Sequence, residues 1–339
     1  MIGSPARGVG RRIAVGLLAV VALAACAADL PTDEVSAGGD GLAWSEALDL
    51  TSLEIAVGSK STAEQEILGH LAAESLAAAG ARVIDQIDLG STLAVRDAQL
   101  GGLIDLYWEY TGTGWVELLR EIGPSSDADV LADAVAENDL DENAIAWLAP
   151  APADSSFAIA TGPDVADDVA ATTISELGEL LAADTDGVVL CVPEGGAFPE
   201  DPTGLPALRQ AVEAVLGDDA PPIDEDKVRF VPPADLVPAV EIGVYCPFGQ
   251  VRRTAPALID ADLQLLEDDI GAFLIRNPTV TVRAEVLAEF PEIAEVLDPV
   301  AAALTDQALQ SLNAAVLVEG IEPRTAARNW LVDEGFADL

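Results

Sequence analysis

Between residues 53 and 110 the chain alternates β-rich runs with helical stretches, and this alternation restricts its fold more than any other feature. Residues 53–57, Leu-Glu-Ile-Ala-Val, read as a strand that ends at Gly58-Ser59-Lys60. A helix is expected from Thr62 to Ala79. Thr62 caps it, Gln65 stands three positions on as in a capping box, and Gly80 stops it. Residues 82–87 form a second strand, residues 92–100 a second helix closed by Gly101-Gly102, and residues 103–110 a third strand. Strands joined by crossovers of this length lie parallel and are covered by helices. A second series follows, with strands at 157–161, 188–192, 228–231 and 242–245 and helices at 174–183 and 205–216. Thr173 or Ser175 starts the first of those helices. The last third is extended at 273–282, then helical at 284–289, 293–304, 306–319 and 323–334. The expectation is an α/β chain of two lobes, each a mainly parallel sheet flanked by helices. Residues 53–112 and 250–339 form the first lobe and residues 113–249 the second. Ligand sites in such sheets lie at the carboxyl ends of strands.

At one such end stands DLYWEYTGTGW, residues 105–115. It holds two of the three tyrosines and two of the five tryptophans of a chain that is only 4% aromatic. Aromatic faces attract cations, and glycines let a ligand approach the backbone. These rings line a cleft or pack in the core, and residue types alone do not separate the two. Asp105 and Glu109 could also be paired carboxylates of an enzyme. Against catalysis stand the absence of a nucleophile elbow, a phosphate loop or a metal motif, and the single histidine, His70, within a helical stretch. No metal or cofactor is expected.

Charge and the N-terminus restrict partners and place. With 59 acidic residues against 16 basic ones, the formal charge is −43, which excludes nucleic-acid binding as a main activity. The acids are spread along the whole chain, as on a heavily solvated surface, and only two basic residues are lysines, Lys60 and Lys227. Arg7, Arg11 and Arg12 precede an apolar run from Ile13 to Ala25, the pattern of a signal peptide over residues 1–25. Leu23-Ala24-Ala25-Cys26 resembles a bacterial lipobox, with Cys26 as the lipidated residue. Residues 26–52, rich in Gly, Asp, Ala and Pro, read as a flexible tether. The domain is therefore expected on the extracytoplasmic face of the cell membrane, held by its lipid. Cys191 and Cys246 remain, as one disulfide or as two buried thiols.

VGSKSTAEQEILG, then LGSTLAVRDAQLGGLIDLYWEYTGTGW, then LLEDDIGAF, with LTDQALQSLNAAVLVEG near the end, resemble the glycine betaine/choline substrate-binding proteins of osmoprotectant ABC importers. The resemblance runs from about residue 53 to residue 336. It implies the two-lobed periplasmic-binding-protein fold of type II, a small-molecule solute, an ABC permease and ATPase as partners, and a monomer without catalysis. CVPEGGAF and CPFGQV resemble the paired-cysteine segments of actinobacterial members, which implies a Cys191–Cys246 bridge. In that family an aromatic box encloses a trimethylammonium head, while a lysine, an arginine and a threonine hold a carboxylate. Carried over by motif, Lys60 takes the lysine role, Tyr110 is a box ring and Thr113 the hydroxyl donor. Phe157 stands where a box tyrosine is expected.

The second half departs from that pattern. Arg252-Arg253-Thr254 stands where an aromatic and a Thr-Thr-Asp-Gly-Arg-like run are usual. Arg276 takes the place of another box tyrosine, and Phe198-Pro199 that of an arginine. Two arginines beside a trimethylammonium repel it by about a kcal/mol or more each at moderate dielectric. Guanidinium forks suit carboxylates. The ligand-binding set expected is Lys60, Tyr110, Thr113, Phe157, Arg252 and Arg276, for a quaternary amine or for a carboxylate-bearing or anionic solute. Pairing of these arginines with Glu109, Glu194 or Glu241 would instead suit a degenerate receptor kept as a sensory or interaction lipoprotein.

Overall fold

The computed structural model describes residues 33–35, 48, 50–163, 165, 171–217 and 222–336. The expected signal peptide, Cys26 and most of the expected tether lie outside them. Within the tether, β1 (Asp33–Val35) pairs antiparallel with the second strand of the domain proper.

The first sheet is built from β2 (Glu54–Gly58), α1 (Ala63–Ala78), β3 (Arg82–Gln86), α2 (Thr92–Leu100) and β4 (Leu106–Tyr110). The helical crossovers make β2 parallel to both β3 and β4. α1 is buried along most of its length, with Ile67, Leu68, Leu71 and Leu76 fully covered. Its alanines admit close neighbours, and each buried leucine contributes roughly 2 kcal/mol. Thr62 has the extended backbone of an N-cap, but its side chain makes no capping bond. Gln65 turns inward instead of back to Thr62 and is only 1% exposed, so the expected capping box does not form.

The Thr-Gly-Thr-Gly run continues as helical turns through residues 111–118 and leads to α3 (Ala128–Asn143) and β5 (Ile145–Trp147). A Cβ on Gly112 would lie 2.3 Å from the Ile275 carbonyl oxygen, and one on Gly114 would lie 2.5 Å from the Trp147 ring. These two glycines serve close packing.

β6 (Phe157–Thr161), α4 (Ile174–Ala182), β7 (Leu190–Pro193), α5 (Leu205–Leu216), β8 (Val228–Val231), α6 (Pro233–Ile242), β9 (Phe248–Arg252) and β10 (Gln264–Leu265) build the second sheet and its helices. Thr173 caps α4 in a full capping box with Glu176. The strand expected at 242–245 is not there. Pro233 starts a helix that buries Leu236 and Val240, Gly243 at φ +71° ends it, and the strand forms later at Phe248–Arg252. Val244 is left 88% exposed.

The chain then returns to the first sheet through β11 (Pro278–Arg283), followed by α7 (Ala284–Glu289), α8 (Glu292–Ala303), α9 (Asp306–Leu317) and α10 (Pro323–Asp333). The strand orders are β1-β3-β2-β4-β11-β5 and β10-β6-β9-β7-β8. Both sheets are mixed. The crossover-built strands are parallel, and β11, β5, β6 and β10 add antiparallel pairs next to the inter-lobe segments. The strands change sheets over residues 148–156 and 266–277, because β5 and β11 both belong to the first sheet. These crossings lie later in the chain than the boundaries expected near residues 112 and 249.

Cys191 of β7 and Cys246, just before β9, form a disulfide with Cα atoms 5.6 Å apart. The parallel pairing of β7 with β9 brings them together, with Cys191 opposite Gly249.

Candidate functional site

The carboxyl end of β4 forms one wall. Along a strand, alternate side chains point to opposite faces. Trp108 therefore enters the main core, Tyr107 and Glu109 face the other way, and Tyr110 closes the strand next to α1. Glu109 is fully buried and forms an ion pair with Lys60. It also accepts from the Tyr107 hydroxyl at 3.1 Å and from the Tyr110 amide at 2.7 Å. The Lys60 ammonium lies 5.2 Å from the centroid of the Tyr110 ring. The Tyr110 hydroxyl donates to Glu64 at 2.6 Å. Burial, then the Glu64 charge, hold the Tyr110 phenol well above its ordinary value of 10, so it remains a neutral donor.

The opposite wall is built on β6 and β9. Phe157 pairs directly with Arg252 in the register of the sheet, so their side chains share a face. The Arg252 guanidinium lies 4.3 Å from the centroid of the Phe157 ring, and that of Arg276 lies 5.5 Å away. Arg252 donates to the Ser155 carbonyl at 2.9 Å. Arg276 donates from Nη2 to the Thr203 hydroxyl at 3.0 Å, and that hydroxyl donates to Asp201 at 2.8 Å. The backbone amide of Arg276 donates to Asp154 at 2.9 Å. Its Nε is buried without a partner. Among the described residues neither arginine has a carboxylate within ion-pair distance. The surface of Arg252 is exposed, yet the walls around it and then the Arg276 charge lower its affinity for a proton. Two guanidiniums held on one ring without a counter-charge suit an anionic group.

Glu64, in the first turn of α1, joins the walls. Its carboxylate accepts from Tyr110, from the Ser155 hydroxyl at 2.6 Å and from the Asn313 amide at 2.8 Å. Ser155 touches Arg252 through its carbonyl and Glu64 through its hydroxyl. An unbroken chain of contacts thus runs from Tyr110 through Glu64 and Ser155 to Arg252.

Five of the six expected binding residues fall in this cluster in two groups, with Lys60 and Tyr110 on one wall and Phe157, Arg252 and Arg276 on the other. Thr113 is buried in the helical turn after β4 and makes no side-chain hydrogen bond among the described residues. Lys60 is already paired with Glu109. Arg253 turns away from the cluster to Asp306 at 3.2 Å, and Asp154 lies 3.8 Å from it. Glu194 and Glu241 hold none of these arginines. Glu64, Ser155, Thr203 and Asn313 were not visible in the sequence, although Glu64 sits within the VGSKSTAEQ stretch. A cavity of about 180 Å³ lies beside the cluster, lined in part by Asp154, Ser156, Phe157, Asp268 and Phe273. Its carboxylates are already satisfied, Asp154 by Ser156 and Arg276, Asp268 by the amides of Ala272 and Phe273. Within the Tyr110–Arg276 cluster, the buried Arg276 Nε and Asn313 Oδ1 still lack a partner. Among the described residues no group of three or more His, Cys, Asp or Glu side chains could hold a metal ion.

The profile of the substrate-binding domain of ABC-type glycine betaine transport systems matches residues 54–333. The glycine betaine-binding protein YehZ of Escherichia coli (strain K12) is 30% identical over 287 residues, covering 83% of this chain and 91% of that protein. A glycine-betaine-binding protein of Pseudomonas aeruginosa is 29% identical and covers 83% of this chain and 88% of that protein. The solved structure of apo YehZ superimposes with a TM-score of 0.67 at 29% identity, covering 84% of this chain and 99% of that one. A glycine betaine/carnitine/choline ABC transporter structure shares the fold with a TM-score of 0.70 at 16% identity, covering 83% and 99%. This chain belongs to the OpuAC family of glycine betaine-type ABC substrate-binding domains and is a solute-binding protein, not an enzyme.

Proposed function

We propose that the protein is the extracytoplasmic receptor of an ABC importer for a small betaine-type zwitterion, a cationic head joined to a carboxylate. The observation that carries this reading is the pair Arg252 and Arg276, converging on the Phe157 ring with no carboxylate partner among the described residues. The carboxylate of the solute takes those guanidiniums and Thr203, and its head lies against Tyr110. The names of the relatives from Escherichia coli and Pseudomonas aeruginosa support the betaine class. A degenerate receptor would have its arginines locked by acids, and these two are not. The permease and ATPase follow from the same family. Cys26 is the lipidated residue, supported by the small residues before it, and the protein works as a monomer. Metabolic labelling with a fatty acid that persists in Cys26→Ala would remove the anchor from this reading.

Isothermal titration with glycine betaine, choline and a dicarboxylate tests the ligand. Glycine betaine binds most tightly, because choline leaves the arginines unanswered and a dianion has no cationic head. Arg276→Ala weakens betaine about 10- to 100-fold, the range of a hydrogen bond to a charged group. Choline binding as tight as betaine, and unchanged in Arg252→Ala and Arg276→Ala, would overturn the proposal.

A further inference from the structure

We infer that Glu64 is the specificity-determining charge of the first wall, selecting a solute whose head is cationic over one of the same shape whose head is neutral. This rests on the proposed zwitterion, and it concerns a residue outside the aromatic rings and the arginines. The charges of the cluster do not cancel. Lys60 and Glu109 neutralise each other, and Arg253 is answered by Asp306 and Asp154. What remains is two guanidiniums without a carboxylate in ion-pair distance, Arg252 and Arg276, with Asp201 held behind Thr203 on their wall, and on the first wall one carboxylate without a cation in ion-pair distance, Glu64. Arg252 and Glu64 sense each other across Ser155 but do not pair. A negative group open on the first wall, facing a wall where Arg252 and Arg276 outnumber Asp201, is the complement of a solute that carries both signs.

Three neutral donors, Tyr110, Ser155 and Asn313, orient the Glu64 carboxylate without neutralising it. The bond from Tyr110 adds a second effect. A carboxylate accepting from a phenol draws the proton toward itself and leaves the ring richer in electrons, which strengthens the attraction of its face for a cation. The Lys60 ammonium beside that ring would oppose a cationic head, and Glu109 offsets it. Glu64 therefore supplies the net attraction.

The test is a ratio of affinities for glycine betaine and 3,3-dimethylbutyrate, which has a tert-butyl group in place of the trimethylammonium and keeps the carboxylate. Both are titrated calorimetrically on the wild-type protein, Glu64→Gln and Glu64→Asp, with thermal melts confirming folding. The wild type prefers glycine betaine. Glu64→Gln lowers that preference by about tenfold or more, the scale of a nearby charge at intermediate dielectric. Glu64→Asp, which keeps the charge, retains most of it. If Glu64→Gln weakens both ligands equally and leaves the ratio unchanged, Glu64 is a structural joint and the inference is overturned. If the wild type binds neither ligand, the zwitterion reading fails and this inference fails with it. Should Glu64→Gln not fold, the ratio is read on Glu64→Ala, which also removes the charge. A preference that falls there while Glu64→Asp keeps it supports the inference, and an unchanged one overturns it.

Discussion

The Lys60–Glu109 pair is the most demanding electrostatic element of the site, and its removal has a calculable outcome. Glu109 is fully buried and Lys60 is 7% exposed, so neither charge can turn to water if its partner is lost. Breaking a buried pair by deleting one member costs about 3–5 kcal/mol. Lys60→Met leaves Glu109 with two donors, the Tyr107 hydroxyl and the Tyr110 amide, and belongs at the lower end. Glu109→Leu strands the lysine and both of those donors, each orphan adding about 1–3 kcal/mol, and belongs above the upper end. The double variant Lys60→Met/Glu109→Leu removes both charges together. Its loss is smaller than the sum of the single losses by about 2 kcal/mol or more, since the two residues touch. Urea unfolding followed by tryptophan fluorescence reads this directly, because buried Trp108 neighbours Glu109 in β4. A 3 kcal/mol loss moves the midpoint by about 1 M at a slope near 3 kcal/mol/M. Single losses under about 1 kcal/mol, as for exposed pairs, or strictly additive losses would refute the reasoning. The same variants separate binding from stability. Lys60 is occupied by Glu109, so Lys60→Met changes betaine affinity less than Arg276→Ala does.

The Cys191–Cys246 disulfide closes a loop with a sequence separation of 55, so the chain-entropy estimate gives about 4 kcal/mol. Cys191→Ser/Cys246→Ser loses stability of that order in chemical denaturation, and reduction of the wild type moves the midpoint in the same direction. His70 is the single histidine, and burial holds its imidazole below the ordinary value of 6.5 against the pull of Asp85. Between the folded value and 6.5 the unfolded chain binds a proton that the folded chain does not, so stability falls as pH drops below 6.5. Thermal melts from pH 7.5 to pH 5.5 show a decline that is shallower in His70→Gln, and the difference between the two profiles isolates this residue. Gly112→Ala places a Cβ against the Ile275 carbonyl, a backbone atom without room to retreat. It costs about 2 kcal/mol or more in equilibrium unfolding and also lowers betaine affinity, because Ile275 adjoins Arg276.

The fold was legible wherever local pattern and tertiary burial agree. Strands at 53–57, 157–161 and 228–231 and the four C-terminal helices carry their periodicity and their stops within a few residues. Residues 242–245 misled because Val and Tyr there have strand propensity, while the two prolines before them start a helix and Gly243 ends it. Thr62 and Gln65 had the letters of a capping box, but packing of α1 turned Gln65 inward. The Gly112 and Gly114 expected to admit a ligand to the backbone are instead contact points against Ile275 and Trp147, and the crossings between the sheets lie later in the chain. Of the clustered side chains, Tyr110, Phe157, Arg252 and Arg276 were visible through motif positions. Glu64, Ser155 and Asn313 were not, because their meeting depends on three elements 91 and 249 residues apart from α1 to the crossing and to α9.

The two crossings between the lobes are bonded to each other rather than running free. The Ser155 amide donates to the Arg276 carbonyl at 3.0 Å and the Arg276 amide to Asp154 at 2.9 Å, while the Arg253 amide, just after β9, donates to the Ser156 carbonyl at 3.2 Å. α9 clasps the same place through Asp306, Gln310 and Asn313, spaced along one helical face. A rotation of one lobe on the other would have to turn at these residues. Arg276 belongs to a crossing, Phe157 follows the other by one position, and Arg252 bonds to Ser155. The side chains proposed to meet a solute are therefore the ones that would bear such a rotation. Under that proposal occupancy would act on the fulcrum itself, with no relay between detection and motion, and whatever alters grip would alter swing.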